Sequence, residues 1–113
     1  MKKFFIIIAF FTTLTFNLKA ETKRIVSGNI DAKITIIAYE SLTCSHCASF
    51  HKEVYPKLKK DYIDTGLAKI EFRHFPLDVA AFNASKIVQC KQDQSLNILD
   101  SLYSNQQAWV KGN

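Results

Sequence analysis

The apolar residues follow three periodicities along the chain, and each predicts a different element. Phe4 to Phe16 is a mostly apolar run broken by Thr12, Thr13 and Thr15. Lys33 to Tyr39 (KITIIAY) is β-branched and apolar without strict alternation, which predicts a buried strand. From Thr43-Cys44 to about Thr65, Cys47, Phe50, Val54, Leu58 and Tyr62 recur every three or four residues, giving an apolar face. Lys52, Glu53, Lys57, Lys59, Lys60 and Asp61 cover much of the rest, so the segment reads as an amphipathic helix ended by Gly66 and kinked at Pro56. Ala68 to Phe75 alternates as a second strand, broken by Phe75-Pro76-Leu77. Asp78 is placed to cap a helix from Val79 to Cys90, packed through Ala80, Ala84, Ile87 and Val88. Asp93 is placed to cap another, with Leu96, Leu99, Leu102 and Tyr103 at helical spacing. A short strand is expected near Arg24-Ile25-Val26, and the tail from Gln106 to Asn113 carries Trp109.

The order strand–helix–strand predicts a βαβ unit with parallel strands. Two strands do not make a stable sheet by themselves. On this reading the second strand is expected to keep an unpaired edge, and the chain to fold poorly or to self-associate.

The first residues belong to targeting rather than to the fold. Lys2 and Lys3 precede the apolar run, and Asn17-Leu18-Lys19-Ala20 follows it, the layout of a secretory signal peptide cut after Ala20. The competing reading is an uncleaved anchor, which calls for about 20 apolar residues. Cleavage leaves residues 21–113 as one small domain. It removes Lys2, Lys3 and Lys19 from the 15 basic residues, leaving 12 against 10 acidic and a net charge of +2. That mixed balance gives no nucleic-acid footprint. Export places the chain in an oxidising compartment, with Cys44, Cys47 and Cys90 as its three cysteines.

Cys44-Ser45-His46-Cys47 lies where the strand gives way to the amphipathic helix. Unsatisfied N–H groups and the helix dipole at that place favour negative charge, so a thiolate there is stabilised. Cys44 is the expected exposed nucleophile and Cys47, one turn on, its resolving partner. A protonated His46 would further stabilise the Cys44 thiolate. A stabilised thiolate is a good leaving group, which makes the disulfide oxidising. Three other readings stay open: a static disulfide, a non-catalytic product, and a metal-binding stub. In the last, Cys44, Cys47 and His51 would need His74 or Cys90 as a fourth ligand. The dithiol reading calls for no cofactor and no metal. Cys90 is expected as a buried small hydrophobe, or else as an extra thiol for intermolecular pairing. His51 and His74 are expected to be surface or strand-face residues without a catalytic task, and Trp109 to be exposed.

ITIIAYESLTCSHCASFHKEVYPKLKKDYIDTG followed by KIEFRHFPLD resembles the DsbA-like thiol–disulfide oxidoreductases of bacterial envelopes. The resemblance runs from about Asn29 to Trp109 and rests on C-x-H-C at the strand-to-helix junction, Pro56, Phe75-Pro76-Leu77-Asp78 and a helical segment after it. It implies an α/β thioredoxin-like fold whose βαβ unit is followed by a helical insert. It implies a periplasmic enzyme with Cys44, Cys47 and His46 as its site, reduced exported proteins as substrates, and a quinone-linked membrane partner for reoxidation. Three departures stand out. Ser45 replaces the usual proline, at a position that tunes the redox potential. Ala38 stands where members often bury an acid, and Glu40, two residues on, is either a substitute or a solvated strand-end carboxylate, the second being expected from the usual exposure of Glu. The family also continues into two strands and a helix bearing a cis-proline loop, so the chain looks like the N-terminal half of such an enzyme, without the C-terminal ββα part.

Overall fold

The computed structural model describes residues 22–111. The apolar run Phe4–Phe16 and the cleavage expected after Ala20 lie outside the described residues. Among the described residues no helix is long and apolar enough to cross a membrane.

Strands β1 (Ile25–Ser27), β2 (Ile34–Glu40) and β3 (Ala68–His74) form one sheet in the order β1-β3-β2. β2 runs parallel to β3, with Ile36 opposite Ile70 and Glu40 opposite His74, so the βαβ expectation holds. β1 runs antiparallel to β3, with Ile25 opposite Phe72. β3 therefore has a partner on each side, contrary to the unpaired edge expected for it. The short N-terminal strand takes the edge that two-strand bookkeeping left open.

It is β3, not β2, that is buried: Ala68, Ile70, Glu71 and Phe72 are all enclosed. β2 alternates. Ile36 and Ala38 pack against the core and Glu40 is buried, while Ile37 and Tyr39 face out, Tyr39 at 61% exposure. Both faces of KITIIAY are apolar, so the composition predicted two-sided cover. Among the described residues only one face has it.

One helical run joins β2 to β3. It comprises α1 (Ser45–Ser49), a π turn (Phe50–Val54), α2 (Tyr55–Leu58) and a second π turn (Lys59–Ile63). The break expected at Pro56 takes this form: a π turn absorbs the missing N–H just before the proline. A π turn closes i to i+5 rather than i to i+4, so the inward stripe falls at every fourth residue through Cys47, His51 and Tyr55 and resumes at Ile63, while Lys59 between them pairs with Asp64 in solvent. His51, Tyr55 and Ile63 are buried, whereas Val54 and Tyr62, expected on the packed face, are exposed. Gly66 ends the run at φ 78°.

Gly28, in the turn after β1, has φ 104°, and a Cβ there would lie 2.7 Å from the Ile63 side chain and 3.1 Å from the Ala68 carbonyl oxygen. Gly28→Ala is expected to destabilise the fold by about 1–3 kcal/mol, from backbone strain and crowding together. An unchanged midpoint in denaturant titration would contradict this.

Asp78 caps α3 (Val79–Cys90) as expected, its Oδ1 accepting from the Ala81 N–H at 2.7 Å. The packed side of α3 is Ala81, Ala84, Ser85 and Val88, and Ala80 and Ile87 point outward. Ser85 fits inside because its hydroxyl donates to the Ala81 carbonyl at 2.8 Å. Cys90 is exposed, not buried. After a 3-10 turn (Gln92–Gln94) come α4 (Ser95–Ser104) and α5 (Gln106–Trp109). Asp93 does not cap α4; its carboxylate meets Lys23 at 2.9 Å in solvent. Trp109 is half-buried against the core rather than exposed, and its Nε1 donates to the Leu102 carbonyl at 2.9 Å.

Leu42, Ile70, Val88 and Leu99 are the most completely buried large side chains. Each contributes about 1.5–3 kcal/mol of apolar burial. Leu42 sits two residues before Cys44, so the loop that delivers the thiols is anchored directly in the core.

Candidate active site

Cys44 is the N-cap of α1, in extended conformation at φ −76° and ψ 120°. Its side chain makes no capping hydrogen bond of normal geometry. Burial opposes ionisation of Cys44, but the backbone N–H of Cys47, the Cys47 thiol and the backbone N–H of His46 all act on its sulfur and outweigh that cost, leaving its pKa lowered. Cys47 moves the other way. Burial raises its pKa, the Ser41 backbone opposes this, and the hydrogen bond to Cys44 and the charges of Cys44 and Glu40 raise it further. The pair therefore divides its labour: one proton is held on Cys47 while Cys44 carries the charge. Both thiols are free and half-buried, so Cys44 is less exposed than expected. His46 is exposed, and what it brings to Cys44 is its amide.

A buried charge cluster lies beneath the dithiol. Glu40, at the end of β2, and His51, four residues after Cys47, have side chains only 6% and 4% exposed. His51 Nε2 contacts both Glu40 oxygens at 2.9 and 3.0 Å, and Nδ1 meets Asp100 Oδ1 at 3.2 Å. The ring stacks on Tyr103 at 4.2 Å and lies 5.1 Å from Phe72. Burial disfavours the charged ring, but the hydrogen bonds to Asp100 and Glu40 prevail and raise its pKa to about 8. At neutral pH both ring nitrogens thus donate to carboxylates, and His51 is an imidazolium.

These positions correct the expectations for two residues. His51 is not on the surface, because the four-residue stripe of the helical run turns it inward onto Glu40 and Asp100. Glu40 is not a solvated strand-end carboxylate but the buried acid, brought inside by the one packed face of β2. His74 stands opposite Glu40 in the sheet, half-buried, with its pKa lowered by burial against the opposing charge of Glu40. Among the described residues, Cys44, Cys47, His51, His74 and Cys90 form no group of three or more that could hold a metal ion. A cavity of about 270 Å³ beside the dithiol is lined by Ala38, Tyr39, Glu40, His46, Cys47 and Phe50, so Glu40 and Cys47 share one solvent space.

The arrangement of sheet, helix-start thiols and helical insert has known relatives. The family described as thioredoxin matches residues 20–113. The chain belongs to the thioredoxin family. Within the family it is DsbA-like. A Rickettsia bellii protein named as a protein-disulfide oxidoreductase is 34% identical over 103 residues, covering 89% of this chain and 40% of that protein. The crystal structure of Wolbachia pipientis alpha-DsbA1 is 38% identical with a TM-score of 0.72, covering 79% of this chain and 46% of the other. A protein-disulfide isomerase structure from Novosphingobium aromaticivorans is 26% identical with a TM-score of 0.73, over 78% of this chain and 45% of the other. The chain thus spans less than half the length of these relatives.

Asp100, Tyr103 and Gln106 reach the thioredoxin-type site from the helical insert, and sequence reading passed over their polar groups. The available signal was their spacing of three beside an apolar stripe, Asp100 and Tyr103 on α4 and Gln106 at the start of α5. His51 also had one: it lies four residues after Cys47, on the same side of the helix.

Proposed function

We propose that this thioredoxin-family chain is a periplasmic protein-disulfide oxidoreductase that passes the Cys44–Cys47 disulfide to reduced exported proteins. The observation that carries this reading is Cys44 at the N-cap of α1, its sulfur faced by the His46 and Cys47 amides and joined to the Cys47 thiol. In the oxidised protein a substrate thiolate attacks the Cys44 sulfur. The Cys44–Cys47 bond breaks, and Cys47 leaves and takes up a proton. The substrate's second thiolate then attacks its own sulfur in the mixed disulfide and expels Cys44. Two electrons pass from the substrate to the protein, and the substrate gains one disulfide. The lowered pKa of Cys44 favours the second step, because a stable thiolate leaves readily. The raised pKa of Cys47 slows its departure in the first step and favours the proton it takes up afterwards.

Ser45 lies between Cys44 and His46, just before the two amide donors, and takes part in tuning the potential. His46 supplies its amide and sets an imidazole at the mouth of the cavity beside Cys47. A quinone-linked membrane protein restores the disulfide, as the DsbA-like membership suggests. The sequence of residues 1–20 supports export.

The test uses the oxidised chain and an equimolar reduced peptide bearing two cysteines. The expected result is peptide disulfide and protein dithiol in one-to-one yield. Peptide oxidation no faster than with Cys44→Ala would overturn the proposal.

A further inference from the structure

In the loop from Ser41 to Cys44, which enters α1, Ser41, Leu42 and Thr43 are buried, and the local backbone gives the Ser41 carbonyl the Cys44 N–H at 3.0 Å and the Cys44 carbonyl the Ala48 N–H at 3.2 Å. Buried acceptors of this kind need donors. The helical insert supplies more. Tyr103 Oη donates to the Ser41 carbonyl at 3.3 Å. Gln106, itself buried, donates through Nε2 to the carbonyls of Leu42 at 2.8 Å and Cys44 at 3.0 Å. Asp100 holds His51 from the same side. Asp100, Tyr103 and Gln106 are spaced by three, and each touches the segment that bears the dithiol, more than forty residues away in sequence.

We propose that Gln106 and Tyr103 are positioning residues for disulfide exchange, clamping the carbonyls of Ser41, Leu42 and Cys44 so that the first amides of α1 point at the Cys44 sulfur. The Cys44 carbonyl is the hinge of this device. It accepts both from Gln106 and from the Ala48 N–H, at 3.2 Å, which is the first bond of the helix. Fixing that carbonyl fixes the plane of the Cys44–Ser45 peptide and, with it, the direction of the turn that follows. Release of Gln106 takes the side-chain donor from the Leu42 carbonyl, leaves the Cys44 carbonyl with the Ala48 N–H alone and lets the turn fray, which withdraws the His46 and Cys47 amides from the sulfur. Gln106 acts through the Leu42 and Cys44 carbonyls and Tyr103 through the Ser41 carbonyl.

The inference rests on the exchange chemistry proposed above, but its test needs no substrate. Gln106→Met keeps length and volume and removes the donor. Tyr103→Phe keeps the stacking on His51 and removes only the hydroxyl. In the full chain, Gln106→Met is expected to move the Cys44 titration midpoint up by about one pH unit, read from ultraviolet thiolate absorbance. It is also expected to speed hydrogen exchange at the His46, Cys47 and Ala48 amides by about three- to tenfold. Tyr103→Phe should move both in the same direction and by less. A general loss of stability would not single out these amides or shift a thiol midpoint in a folded protein. If Gln106→Met fails to fold, Tyr103→Phe carries the same two readouts. An unchanged Cys44 midpoint in the folded variants overturns the clamp. A wild-type chain that passes no disulfide to a peptide, with the midpoint still shifting in Gln106→Met, overturns the function and leaves the clamp standing.

Discussion

Cys47→Ala is expected to accumulate as a mixed disulfide through Cys44, while Cys44→Ala, retaining Cys47, accumulates almost none. The asymmetry follows from the two sides of one helix turn. Cys44 faces two backbone amides and a thiol donor, and Cys47 faces the charges of Cys44 and Glu40 from a more buried place. For each pH unit that separates the two thiols, the thiolate fraction of Cys44 at lower pH gains about tenfold. Lower basicity gives back about threefold in nucleophilicity, so the reactivity ratio is smaller than the ratio of thiolate populations. The measurement is trapping by a small aromatic disulfide, followed by mass spectrometry as pH is varied. The Cys44 rate should level off at lower pH than the Cys47 rate. Equal trapping by the two variants, or a faster Cys44→Ala, would reverse the assignment of nucleophile and resolving thiol.

What could be read from the sequence was local. Asp78 and its helix are a bond between residues three apart, and the helix bounds Val79–Cys90 came out as expected. The dithiol at a strand-to-helix junction was equally local, because Cys44, Ser45, His46 and Cys47 carry both the chemistry and its placement. The errors came where a residue's environment depends on distant chain. Glu is usually a solvated residue type, and it takes His51, eleven residues on and held from its far side by Asp100, to make Glu40 a buried acid. Val54 and Tyr62 fit an ideal α-helical stripe, but two π turns moved the stripe to His51, Tyr55 and Ile63. Ile37 and Tyr39 are apolar enough for a core, yet among the described residues their face has no cover. Gln106 looked like part of a polar tail, and its two bonds span sixty-two and sixty-four positions of sequence.

The buried cluster beneath the dithiol gives the second large effect. His51→Leu should destabilise the fold by about 3–5 kcal/mol, because it leaves the Glu40 carboxylate buried without its cation. Glu40→Met should cost a comparable amount by stranding the imidazolium beside only the half-exposed Asp100. The double variant Glu40→Met/His51→Leu removes both charges, fills the space with apolar atoms, and should recover most of the loss. The same cluster sets a pH dependence of definite sign. The folded pKa of His51 is raised to about 8 from 6.5, so the folded state binds the proton more tightly than the unfolded chain does. Its contribution is complete below about pH 6.5 and fades as pH rises through about 8, a loss of about 2 kcal/mol from a shift of that size. The thiols titrate as well, and Cys44, with its lowered pKa, stabilises the fold in the opposite direction as pH rises. The measurement therefore uses a Cys44→Ser/Cys47→Ser background. Denaturant midpoints between about pH 6 and 9 should fall with His51 present and stay level in the Glu40→Met/His51→Leu double variant. Parallel pH profiles for the two proteins would mean that His51 is not the imidazolium that holds Glu40 in place.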